Sequence, residues 1–205
     1  MKTWLSLAAA VALASSASAA LARAAVGQPA PAFSATDVTG KTVSLADFKG
    51  RHVVLEWVNP GCPYVQKHYG AGNLPATQQA AVAQGLVWIA VATTARDHVD
   101  YMAPADLAAW LKGHHAAATT TLMDPEGTVG RAYGARTTPQ LFIVNPAGTL
   151  VYAGAIDSKP TANPADIASA TNHVKVALAE TLAGKAVSVA TTRPYGCSVK
   201  YPSGV

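Results

Sequence analysis

Cysteine is scarce in this sequence. Its 205 residues carry two, Cys62 and Cys197. In an oxidising compartment two thiols either pair or do chemistry. Charge is scarce as well: 13% of residues are charged against 50% hydrophobic, which excludes a disordered or highly charged chain. No Lys/Arg cluster stands out, so the net charge of +4 carries little weight and nucleic acid is excluded as a partner. Internal repeats and low-complexity linkers are absent. The length suits one domain with a real core and is short for two.

The start of the chain predicts export. Lys2 supplies a positive beginning, residues 4–13 are a short apolar run, and Ala17-Ser18-Ala19 and Ala22-Arg23-Ala24 are small-x-small cleavage candidates. Residues 1–24 are expected to be a removed signal peptide, with residues 25–190 as the domain and 191–205 as a tail carrying Cys197. The apolar run is too short to span a bilayer, so no stable membrane insertion is expected after cleavage. No cysteine lies near the cleavage candidates, which argues against a lipoprotein. The expected location is the periplasm or otherwise outside the cytoplasm.

Along the mature chain, strands are expected at residues 33–37, 42–45, 52–58, 86–93, 119–123, 140–144 and 149–154. Helices are expected at 63–84, with a break near 70–75, and at 104–112, 128–133 and 165–183. Asn145-Pro146-Ala147-Gly148 reads as a hairpin turn. Strand-helix-strand followed by a hairpin and a helix is an α/β sandwich around a mixed sheet.

Cys62 occupies the most informative position. Residues 53–58 form an apolar, β-rich run, Asn59-Pro60-Gly61 ends it, and Cys62 follows where a helix can begin. Backbone N–H groups at a helix start carry partial positive charge and favour thiolate, the nucleophilic form. Glu56 interrupts the run. A carboxylate in an apolar strand needs a partner or a task, or else belongs to an edge strand that lets it reach water. Tyr64 and Trp57 are expected to pack beside the thiol, and Trp88, Trp110 and Phe142 to be core.

Three segments together resemble the thioredoxin fold in its peroxiredoxin-like form, the alkyl hydroperoxide reductase and thiol-specific antioxidant, or redoxin, group. They are residues 27–50 as the N-terminal hairpin, residues 54–65 as the active-site strand and turn, and Thr137-Thr138-Pro139-Gln140-Leu141-Phe142-Ile143-Val144 as the cis-proline loop. The resemblance implies a three-layer thioredoxin-like sandwich with a mixed central sheet and an N-terminal hairpin extension. It also implies a cis Thr138–Pro139 bond facing the active cysteine, and Glu56 handling a thiol proton. The departures are informative. Thioredoxins carry Cys-x-x-Cys, whereas this chain reads Cys62-Pro63-Tyr64-Val65 and keeps only the first cysteine. The threonine of a peroxidase site is also missing, since Asn59 stands in its place.

The catalytic set implied is therefore Cys62, Cys197, Glu56, Thr138 and Pro139, with no cofactor and no metal. Three arrangements of the cysteines stay open: a permanent staple, a resolving Cys197, or two free thiols. A bridge would close a loop worth roughly 4–5 kcal/mol. The expected activity is that of a thiol-disulfide oxidoreductase or thiol-based antioxidant. Its partners would be a thiol or disulfide substrate protein and a redox donor. The alternatives are a one-cysteine peroxidase, or a binding module for a partner protein or a metal held by Cys62 with His68 or with His114 and His115.

Overall fold

The apolar run at 53–58 becomes β3 (Val53–Trp57), every residue of which is buried. It lies inside a seven-stranded sheet of order β2-β1-β5-β4-β3-β7-β8. The structure is a computed structural model that describes residues 24–204, so the expected signal peptide lies outside the described residues except for its last position. No described helix is long and apolar enough to cross a membrane.

Strands β3, β4 (Val87–Ala92) and β5 (Thr120–Met123) run parallel. The mostly apolar sequences of β3 and β4 follow from burial on both faces. The edges are antiparallel. β7 (Gln140–Val144) pairs with β3 and turns back through Asn145 to Gly148 into β8 (Leu150–Gly154). On the other side β1 (Ser34–Asp37) pairs with β5 and with β2 (Thr42–Ser44), giving the N-terminal hairpin.

Side chains alternate across the sheet. Val54 and Val58 of the run point into a core shared with α1 (Pro63–Gly70), α2 (Asn73–Ala83), α3 (Pro104–Gly113) and α5 (His173–Leu182). Val53, Leu55 and Trp57 point to the opposite core, where Val129 and Tyr133 of α4 (Thr128–Tyr133) lie. The result is the three-layer, thioredoxin-like sandwich with its hairpin extension.

One helix boundary falls where expected and another does not. The long segment after Cys62 breaks at Gly72, which takes a φ of 69° and heads α2. The segment expected as one helix over 165–183 is a 3-10 stretch, Pro164–Ser169, and a separate α5. Asn172 divides them, because its side chain accepts from Lys175 N at 2.9 Å and caps a new helix. Trp57 also departs from its expected place beside the thiol. The period-two alternation of β3 sends it to the face opposite Cys62, where its ring meets Phe142 at 5.1 Å and Tyr133 at 5.7 Å.

Two strands of two residues each escaped the sequence pattern: β6 (Thr137–Thr138) and β9 (Cys197–Ser198), an antiparallel pair beside the main sheet. With β9 the chain crosses the ends of the strands. Ala190 accepts from Ala153 N at the β8 edge, Ala95 N after β4 donates to Lys200 O at 2.7 Å, and the Tyr201 hydroxyl donates to Ala135 O at 2.8 Å. This path covers the ends of β3, β4 and β5 at which parallel sheets place their sites.

Candidate active site at the Cys62 turn

The turn that delivers Cys62 is built by Asn59. Its Oδ1 accepts from Gly61 N at 2.9 Å, its carbonyl accepts from Cys62 N at 3.0 Å, and its Nδ2 donates to Asp100 Oδ2 at 2.9 Å. Gly61 lies tight against that carboxylate: a Cβ there would stand 3.0 Å from Asp100 Cγ. Cys62 then caps α1 in an extended conformation, with Pro63 at the first helical position. Its thiol makes no capping bond. It donates instead to the carbonyl of Thr138 at 3.1 Å, and Thr138–Pro139 is a cis peptide.

Cys197 reaches the same residue, Thr138, with which it pairs in the β6–β9 ladder. Both cysteines are free thiols, Cys62 buried and Cys197 partly exposed. Burial pushes the Cys197 thiol up to about 12, helped by its hydrogen bond to Cys62 and the charge there, while Lys200 opposes the shift. Gly196 makes this approach possible. Its φ is 128°, and a Cβ would stand 2.0 Å from Thr138 O. The structure thus gathers Cys62, Cys197, Thr138 and Pro139 at one place.

Glu56 makes its hydrogen bonds to other residues. It belongs to the central strand β3 and is fully buried, so the edge-strand reading is corrected. Its carboxylate accepts from the Tyr69 hydroxyl at 2.8 Å, Gln78 Nε2 at 2.8 Å and Trp88 Nε1 at 2.7 Å. Burial raises its pKa against the pull of these three donors. Trp88 is therefore a partner of Glu56 as well as a core residue.

Five residues outside the expected catalytic set form a polar cluster under the tail. Asn73 Nδ2 meets His68 Nδ1 at 2.9 Å, His68 Nε2 meets the Tyr195 hydroxyl at 3.1 Å, and that hydroxyl donates to Asp157 Oδ1 at 2.5 Å. Lys67, equally buried, donates to Lys159 O at 3.2 Å and stands 3.9 Å from Asp157 Oδ2. Burial pulls the His68 pKa down to about 4; Asp157 opposes this and Lys67 adds to it. The 3.8 Å contact of His68 with Asp157 is then no ion pair at neutral pH. One signal in the sequence pointed here: Val65, His68 and Tyr69 share the i, i+3, i+4 spacing of a buried helix face. Tyr64, expected beside the thiol, stacks edge-on against Tyr195 at 5.8 Å. His114 stacks on Trp110 at 4.1 Å. Among the described residues, no group of three or more His, Cys, Asp or Glu is arranged to hold a metal ion.

The AhpC/TSA family profile matches residues 26–153, more than half of the chain. The chain belongs to the AhpC/TSA family. Within it the chain is a thioredoxin-fold redoxin that keeps only the first thioredoxin cysteine, Cys62. The crystal structure of a hypothetical protein from Sinorhizobium meliloti 1021 superposes with a TM-score of 0.75 at 24% identity, covering 88% of this chain and 96% of that one. The thioredoxin domain of a thiol-disulfide oxidoreductase from Bacteroides vulgatus superposes with a TM-score of 0.51 at 25% identity, over 63% of this chain and 87% of that one. A thiol:disulfide interchange protein from Bacteroides sp. gives 0.51 at 26% identity, over 63% and 81%. No curated protein matches the sequence.

Proposed function

We propose that the protein is an exported thiol-disulfide oxidoreductase in which Cys62 is the attacking thiol and Cys197 the resolving one. The observation that carries this reading is the meeting of both cysteines at Thr138, with Cys62 bonded to its carbonyl and Cys197 opposite it in the β6–β9 pair. The signal-like residues 1–24 support export, where disulfides persist. The named activity of the Bacteroides relatives supports the reaction class.

The steps balance as follows. Cys62 loses its proton and attacks one sulphur of a substrate disulfide, giving a mixed disulfide and one substrate thiolate. Cys197 then loses its proton and attacks the Cys62 sulphur, expelling the second thiolate. The protein ends with a Cys62–Cys197 disulfide and the substrate with two thiols. A dithiol donor restores the reduced protein, and reversal of the same steps oxidises a substrate dithiol. Thr138 and Pro139 set where the sulphurs meet. Glu56, with Tyr69, Gln78 and Trp88, stiffens the junction of β3, β4 and the two helices that follow Cys62.

Redox titration tests the reading. The reduced protein is equilibrated with glutathione buffers, acid-quenched, alkylated and weighed by mass spectrometry. The expected product is the internal disulfide without a lasting glutathione adduct, whereas Cys197→Ser accumulates glutathione on Cys62 while staying folded. If neither thiol exchanges faster than the protein unfolds, the pair is an inert structural element and the reading fails.

A further inference from the structure

We infer that Tyr195 is a positioning residue for the resolving step, a latch that holds Cys197 in line with Cys62 through its hydroxyl bonds to Asp157 and His68. This rests on the proposed role of Cys197 and assigns a task to a cluster which that role leaves unused.

The hydrogen bonds run in one direction. The Asn73 amide donates to Nδ1 of a neutral His68, so the ring proton sits on Nε2. Nε2–H donates to the Tyr195 oxygen, and Tyr195 in turn donates to Asp157 Oδ1, which also accepts from Lys159 N at 2.9 Å. Each donor has a single acceptor available in this order, so the Tyr195 oxygen is fixed from both sides. Around His68 stand Lys67 of its own helix, Asn73 of α2, Asp157 after β8 and Tyr195 of the tail. The phenol stays protonated, because burial and the neighbouring Asp157 both oppose its ionisation.

A fixed Tyr195 fixes Cys197. One residue separates them, and that residue, Gly196, fills the narrow gap against Thr138 O described above. Tyr64, two residues after Cys62, stacks on Tyr195, so the latch also touches the turn that carries the attacking thiol. Beyond Cys197 the tail is held again, by Val199 N donating to Arg136 O at 2.9 Å. Reaction between two held groups is sensitive to small misplacement; a shift of about 1 Å can cost on the order of a hundredfold.

The test separates the two chemical steps. A nitrobenzoate aryl disulfide gives up one coloured thiolate when Cys62 attacks it and a second when Cys197 displaces the aryl group from Cys62. Two protons go to solvent and the internal disulfide remains. In Tyr195→Phe the first release should stay within about twofold of wild type, and the second should slow by about tenfold or more. Asn73→Ala frees the His68 tautomer and should slow the second release by a smaller factor. Cys197→Ser should give the first release alone. Equal slowing of both releases in Tyr195→Phe would make the tyrosine a merely structural residue, and unchanged second releases in both variants would overturn the latch. If Tyr195→Phe does not fold, an unchanged second release in Asn73→Ala overturns it alone. A wild type that gives no second release would defeat the resolving role of Cys197 itself, a failure distinct from that of the latch.

Discussion

Gly196 and Thr138 approach so closely that one methyl group cannot be added between them. A Cβ on Gly196 would stand 2.0 Å from the Thr138 carbonyl oxygen, the same oxygen that accepts from Cys62. The residue is also held at a φ of 128°, where a side chain is strained by roughly 1–3 kcal/mol.

Gly196→Ala should therefore lift the tail from β6 without unfolding the sheet. The atoms nearest that methyl group belong to Thr138 and Pro139, outside the seven-stranded sheet, so the thermal midpoint should fall modestly. Cys62, buried in the wild type, should become much faster to alkylate. Quantitative mass spectrometry of Cys62 labelling in the folded variant checks this, and a labelling rate equal to wild type would show that the tail does not cover the thiol.

Cys197 should be a poor nucleophile in the reduced protein. Its thiol is pushed up to about 12 by burial first and by Cys62 second, far above the ordinary value of about 8.5. In the reduced wild type its alkylation should rise only in strong alkali. In Cys62→Ser the rise should move to lower pH but stay above the ordinary range, because burial remains. A profile unmoved by Cys62→Ser would show that the two sulphurs do not sense each other.

His68 makes acid costly. Its folded pKa lies near 4, below the ordinary histidine value of 6.5. Its contribution to stability is thus present above about pH 6.5 and is lost as pH falls from there towards 4, since the unfolded chain takes up the proton first. The loss approaches about 1.4 kcal/mol per pH unit and roughly 3 kcal/mol in all. Urea unfolding at a series of pH values should show this slope in wild type. The slope should be flatter in His68→Gln, whose side chain does not titrate.

Hydrogen peroxide should react slowly. The Cys62 sulphur meets the Thr138 carbonyl and Cys197, and Val65 fills the second thioredoxin position as buried core. Asn59, standing where a peroxidase threonine would be, commits its amide to Gly61 and Asp100. The developing charge on a peroxide oxygen then lacks preorganised donors. Stopped-flow tryptophan fluorescence measures the rate, and a value near that of dedicated peroxidases would shift the assignment to a one-cysteine peroxidase.

The fold was largely legible in the sequence because its signals are local. Apolar runs of strand length marked β3, β4 and β7, and Asn145 to Gly148 marked the hairpin. Cys62 was legible for the same reason, as a thiol at a strand-to-helix turn. The tail was not, since β6 and β9 are two residues long and their pairing joins positions nearly sixty residues apart, leaving no periodicity to read. The cluster of Lys67, His68, Asp157 and Tyr195 was hidden by separation in sequence too, since His68 and Tyr195 lie 127 residues apart. Burying a lysine and a histidine becomes reasonable only once an aspartate from beyond β8 and a tyrosine from the tail stand beside them. Trp57 shows the converse case: one step along a strand decides which face a residue reaches, and nearness in sequence to Cys62 said nothing about it.

The crossing of the tail over the strand ends also sets an order in time. Chains are synthesised from the N-terminus, and Asn59, Cys62, Asp100, Thr138 and Asp157 all precede residue 160. Tyr195, Gly196 and Cys197 are made after them. Until those residues arrive, the sheet can assemble with Cys62 uncovered and its intended partner not yet made. In the export proposed above, Cys62 would reach the oxidising side before Cys197, and its thiol would stay open to a nearby disulfide until the tail docks against Thr138.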